Sequence, residues 1–97
     1  MAYVVKSVTT KPAGTQWFGQ ANPTASSRFI AWAKAQPGVL SSVGRISAPN
    51  TFETITVFAD QAAYDAYQAA AAGNADAQAR AAYATAQGFQ VTVSVIG

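Results

Sequence analysis

Histidine and cysteine are both missing from this chain of 97 residues. Without cysteine there is no disulfide framework, no thiolate metal site and no cysteine nucleophile. Without histidine the commonest metal ligand and the commonest general base at neutral pH are gone as well. Charge is the next scarcity, at 10% of residues against about 25% in ordinary soluble domains. The cations Lys6, Lys11, Arg28, Lys34, Arg45 and Arg80 are scattered, so the net charge of +2 reflects few charges and not a basic stripe, and a nucleic-acid partner is not expected. No apolar run approaches the roughly 18 residues of a membrane span. The N-terminus alternates as AYVVKSVTT, unlike a secretory signal. A soluble chain in the cytoplasm is expected, with no membrane partner.

Metal binding would have to draw on Glu53, Asp60, Asp65 and Asp76. Asp60 and Asp76 read better as helix-start residues, and the other two stand alone, so neither a metal nor a cofactor is expected. The length fits one domain, residues 1–97, with a single core.

What is present is periodicity. Phe52 to Phe58 alternates as a strand, with Phe52, Thr54, Thr56 and Phe58 on one face and Ile55 and Val57 on the other. The period then changes: Asp60 is an N-cap, and Ala62, Ala63, Tyr64, Ala66 and Tyr67 follow at helical spacing. Ala2–Thr10 reads as a first strand. Lys11-Pro12-Ala13-Gly14 is loop chemistry, and TQWFGQAN after it is a short extension or a folded loop. Asn22-Pro23 opens a helix running to about Gln36, ended by Pro37-Gly38. Val39–Ala48 is a second strand, in which Gly44 marks a candidate bulge. Pro49-Asn50-Thr51 turns it into an antiparallel hairpin with the strand at Phe52. The alanine-rich helix kinks or breaks at Gly73-Asn74, where Asn74 is a second N-cap, runs on to Gly88 and hands over to a last strand carrying Val91, Val93 and Val95.

The order β-α-β-β-α-β predicts a ferredoxin-like α+β domain: a four-stranded antiparallel sheet, strand order 4-1-3-2, with both helical units on one face. The second face is expected to carry Tyr3, Val5, Val43, Phe52 and Phe58, too apolar to be left in water. Self-association, or packing on other protein chains, through that face is the expectation.

The order of elements, the helix-ending AKAQPGVLSS and the run VFADQAAYDAYQAA resemble the dimeric α/β-barrel superfamily, which includes the antibiotic-biosynthesis monooxygenase-like proteins. The likeness spans nearly the whole chain. It implies pairing of two copies and, for an enzyme of this type, cofactor-free oxidation of an aromatic substrate held between sheet and helices by Trp, Tyr and Asn side chains. The matching types here are Trp17, Asn22, Trp32, Tyr64 and Tyr67. A haem-degrading activity would use a histidine that this sequence does not have.

Three readings follow. Low charge, many small polar side chains and a two-sided apolar sheet favour a non-catalytic assembly protein, such as an accessory component of a phage virion. A cofactor-free monooxygenase is the alternative, and a small-ligand-binding module of the same fold is a third. The discriminating feature is the space near Trp32 and Tyr64: an enzyme or a binder encloses a cavity there, whereas an assembly protein packs it solid.

Overall fold

The computed structural model describes residues 2–97. Four strands, β1 (Tyr3–Thr10), β2 (Val39–Ala48), β3 (Thr51–Phe58) and β4 (Gln90–Val95), form one antiparallel sheet in the order β2-β3-β1-β4. The helices are α1 (Phe18–Ala21), α2 (Pro23–Ala35), α3 (Gln61–Ala72) and α4 (Ala75–Gln87). This is the expected α+β ferredoxin-like arrangement. No helix among the described residues is long and apolar enough to cross a membrane.

Local chemistry sets the boundaries. The Asp60 carboxylate accepts from the Ala63 N–H at 2.8 Å and the Asn74 amide oxygen from the Ala77 N–H at 2.9 Å, each satisfying an orphan donor of a first helical turn. Gly88 ends α4 at φ 77°, a left-handed turn that glycine makes without a Cβ clash. The piece after the first loop is not a strand extension; it folds into the single turn α1, entered where the Trp17 N–H donates to Gln20 Oε1 at 2.8 Å.

Gly44 does not mark a bulge. The register shifts lie between Val39 and Ser41 and between Ile46 and Ala48. Gly44 has a different role: a Cβ there would stand 2.5 Å from Cζ of Phe52, so the missing side chain lets the tip of the Phe52 ring reach over the neighbouring strand.

Register assigns the faces, and it corrects the expectation for the second one. Val5 lies opposite Thr56, Thr56 opposite Ser42, and Phe52 opposite Thr9 and Ile46. Tyr3, Val5, Phe52 and Phe58 therefore point toward the helices. Phe58 is 1% exposed and Val5 7%. Of the five residues placed on the outer face by sequence, only Val43 is there, opposite Ile55. The error arose in pairing: each strand's alternation was legible, but which face of β2 joins which face of β1 depends on cross-strand register, and a slip of one residue inverts the assignment. The outer face in fact carries Val4, Val8, Val43, Ile55 and Val57 around an ionic cluster. In that cluster Glu53 meets Lys6 at 3.0 Å and Arg45 at 3.8 Å, and hydrogen bonds from Ser47 and Lys6 hold its carboxyl below the usual range.

Candidate functional site

Between the sheet and helices α2, α3 and α4 lies an open cavity of ≈ 820 Å³. Its origin is the sequence of the sheet's inner face. One row across the four strands reads Gly44, Thr54, Ser7, Val93, a trough with no large side chain. The flanking rows are bulkier at their centre, with Phe52 on one side and Val5 and then Phe58 on the other. Alanines supply much of the helical roof, including Ala33, Ala77, Ala81 and Ala84. Small residues above and below leave the space unfilled.

Two aromatic clusters close the ends. At one end Trp17 packs on Phe52 (ring centroids 6.0 Å apart) and Phe89 (5.7 Å), and Tyr83 on Phe18 and Phe89 (5.7 Å each). Tyr83 also fixes the approaching loop by donating its hydroxyl to the Gln16 carbonyl at 2.7 Å, and Lys11 stands over the Trp17 ring at 5.2 Å while donating to Asn50 Oδ1 at 3.1 Å. At the other end Phe58 contacts Tyr64 (5.2 Å) and Tyr67 (5.4 Å), Tyr64 contacts Tyr3 (5.4 Å), and Tyr67 leads through Trp32 (5.6 Å) to Phe29 (6.0 Å). Such tilted and edge-on pairs make rigid walls.

The cavity's charge has one sign. Arg80 and Lys34 line it, and no carboxylate does. Arg80 keeps much of its surface accessible because the cavity is open, yet the protein packed round its guanidinium pushes its pKa down, opposed by the neighbouring Tyr67. Burial raises the Tyr67 hydroxyl above its ordinary value, with Arg80 pulling the other way. Arg80 remains charged at neutral pH and Tyr67 remains a neutral donor. A cation on the roof, over the Phe29 ring and beside a phenolic hydroxyl, can hold a negatively charged or strongly polarised oxygen on a flat ligand.

Of the residues that sequence suggested for a pocket, the structure brings Trp17, Tyr64 and Tyr67 to the cavity. Trp32 stands one layer back, backing Tyr67 and Phe29. Asn22 is exposed at the junction of α1 and α2; its N–H donates to the Phe18 carbonyl at 2.7 Å, and it does not line the cavity. Arg80 was missed. Its signal was available, since Ala77, Arg80, Ala81 and Ala84 follow the i, i+3, i+4, i+7 spacing of an inward stripe, and a lone arginine in such a stripe is a polar group aimed inward. Among the described residues, no three acidic, histidine or cysteine side chains gather as a metal site.

No protein-family model matches the sequence, and no curated protein matches it. Solved structures do. SnoaB, a cofactor-independent oxygenase from Streptomyces nogalater, superposes with a TM-score of 0.71 at 15% identity over 99% of this chain and 91% of that one. The chain has the fold of the antibiotic-biosynthesis monooxygenase-like proteins. Rv0793 from Mycobacterium tuberculosis gives 0.74 at 15% identity, covering 100% of this chain and 94% of that one. A further structure named as an antibiotic biosynthesis monooxygenase gives 0.69 at 19% identity, covering 100% and 97%.

These findings overturn the expectation of a non-catalytic assembly protein or virion component. That reading required solid packing between Trp32 and Tyr64 and the sheet, and the space is open. Several structures that share this architecture, SnoaB among them, carry oxygenase names. The composition that suggested assembly, small and uncharged, has a different physical use here: it hollows the interior.

Proposed function

We propose that the protein is a cofactor-independent oxygenase that oxidises an electron-rich aromatic compound inside the cavity. The observation that carries this is the open cavity itself, ≈ 820 Å³ between two aromatic clusters, with Arg80 as an inward cation that no lining carboxylate neutralises. Cavities of this size, mostly apolar with a few convergent polar groups, are the usual form of small-molecule sites. The fold shared with SnoaB supports the reading.

The chemistry asks little of the protein. A phenol in its ionised form is electron-rich enough to pass an electron to O2; recombination forms a C–O bond, and loss of water from the resulting peroxide leaves a quinone. A naphthol and one O2 thus give a naphthoquinone and one H2O, with O2 as oxidant. Arg80 would favour the ionised phenol by placing positive charge beside its oxygen. Tyr67, kept protonated by burial, would donate to an oxygen as charge moves onto it. Tyr64, Trp17 and Phe29 would hold the ring, with Trp32 fixing Tyr67 and Phe29 from behind.

The test is oxygen consumption with 1-naphthol, followed by appearance of the quinone at one equivalent per O2. Turnover should fall at least tenfold in Arg80→Gln, and absence of turnover across a panel of electron-rich phenols would reject the oxygenase.

The outer sheet face belongs to the same proposal. Val43 is 67% exposed and Ile55 41%, directly paired and continued by Val57 and Val4 as an apolar strip, with the Glu53 ion cluster beside it and Val8 beyond that cluster. A second copy of the chain is the partner that the fold resemblance implies for this face.

A further inference from the structure

The floor of the cavity is unusual for a sheet face turned inward. Where Val, Ile or Leu would be ordinary, the inner face presents five hydroxyls: Ser7, Thr9, Ser42, Thr54 and Thr56. Two of them, Thr54 and Ser7, sit directly opposite each other at the centre of the trough, and Gly44 beside Thr54 adds no side chain of its own, leaving room for the tip of the Phe52 ring. In the adjoining row Ser42 Oγ and Thr56 Oγ1 are 3.1 Å apart. A bond between two hydroxyls uses one of their two protons, so that pair still has one O–H and several lone pairs to offer.

We propose that this hydroxyl floor, Thr54 and Ser7 with the Ser42–Thr56 pair next to them, determines which ligand the cavity accepts: a flat ring that carries hydroxyl or carbonyl oxygens on the edge toward the sheet. The claim rests on the reading of the cavity as an aromatic site and adds how it discriminates. Aromatic walls take any ring of suitable size. An apolar ring seated on the floor would strip water from four hydroxyls without replacing the hydrogen bonds, whereas an oxygenated edge restores them. Hydroxyls donate and accept, so the floor suits both the phenol that would enter and the quinone that would leave. Arg80, by contrast, is on the roof side and favours one charged oxygen. The two sides of the site do different work: the roof selects charge, and the floor selects the pattern of oxygens.

Calorimetric titration with two probes of matching shape, 1,3-dihydroxynaphthalene and 1,3-dimethylnaphthalene, tests this without requiring turnover. The wild-type protein should bind the diol at least tenfold more tightly. Thr54→Val, nearly the same size and well suited to a strand, and Ser7→Ala should each weaken the diol about three- to tenfold. Both should leave the dimethyl compound bound as well as before or better, and the double variant should lose the preference. Equal binding of the two probes to the wild type, or an undiminished preference in the double variant, overturns the proposal. Failure of the oxygenase reading looks different: the diol is preferred and the variants erase that preference, but no oxygen is consumed.

Discussion

The guanidinium carbon of Arg80 lies 5.2 Å from the centroid of the Phe29 ring. Through that contact α4 reaches across the cavity roof to α2, and an inward charge rests on an aromatic face in place of a carboxylate. Replacing Arg80 with Met keeps much of the apolar stem and removes the charge. An anionic ring such as 1-hydroxy-2-naphthoate should lose at least tenfold in affinity, while neutral naphthalene changes by less than about threefold. Calorimetry on the two ligands reads the difference.

Phe52 stays where it is because Gly44 has no side chain. In Gly44→Ala the new Cβ would meet the far end of a ring that can swing aside, so the melting temperature should change little. The ring's contact with Trp17 at 6.0 Å should be lost, and the fluorescence of Trp17 should shift. Unchanged emission would mean that the ring had not moved.

Phe58 is the most enclosed large side chain, between Tyr64 and Tyr67. Phe58→Ala removes that wedge beside a space already unfilled and should cost about 3–5 kcal/mol, measured by urea denaturation. A cost below about 1 kcal/mol would show that the aromatic wall stands without it.

Arg28 holds Asp76 through two hydrogen bonds, Nε to Oδ2 at 3.0 Å and Nη2 to Oδ1 at 2.8 Å, tying α2 to α4. The hydrogen bond from Arg28 lowers the Asp76 pKa from its ordinary 3.8. A lowered carboxylate pKa contributes stability above the unfolded value that disappears as pH falls through the folded one. The melting-temperature gap between wild type and Asp76→Asn should therefore be largest near neutral pH and close below about pH 4. Because the pair is exposed, high salt should narrow it too.

On the outer face, Ile55→Asp places an acid beside Glu53 in the middle of the apolar strip. If two copies meet there, sedimentation should show the variant as a monomer and the wild type as a dimer. A monomeric wild type at high concentration would remove this face from consideration.

Much of the fold was legible because its signals are local: the carboxylate of Asp60, the amide of Asn74, the proline at the start of α2 and the turn at Pro49-Asn50-Thr51 each act within a few residues. The inner-face assignment was not, since Val5 and Val43 belong to strands separated by β3, and only long-range register tells that they face opposite ways. The site was partly legible. All five candidates match by residue type; helical spacing after Asp60 also puts Tyr64 and Tyr67 on one helix, whereas Asn22 has no such support for a place in the pocket and proves to be an exposed junction residue. The trough could not be read from any one strand, because Gly44, Thr54, Ser7 and Val93 become a row only when all four strands are in register.

That trough has a thermodynamic consequence. Among the described residues, only Val5, Phe18, Ala33 and Phe58 of the apolar side chains are buried, while Val91, Val93 and Ile46 line the cavity and are still more than half exposed. Burial of such apolar surface lowers heat capacity, so a ring that fills the cavity should bind with a negative heat-capacity change of the kind that accompanies folding itself. Ligand capture then completes a hydrophobic collapse that the chain alone leaves partial, and a ligand at a hundredfold excess over its dissociation constant would raise the unfolding free energy by about 2.7 kcal/mol.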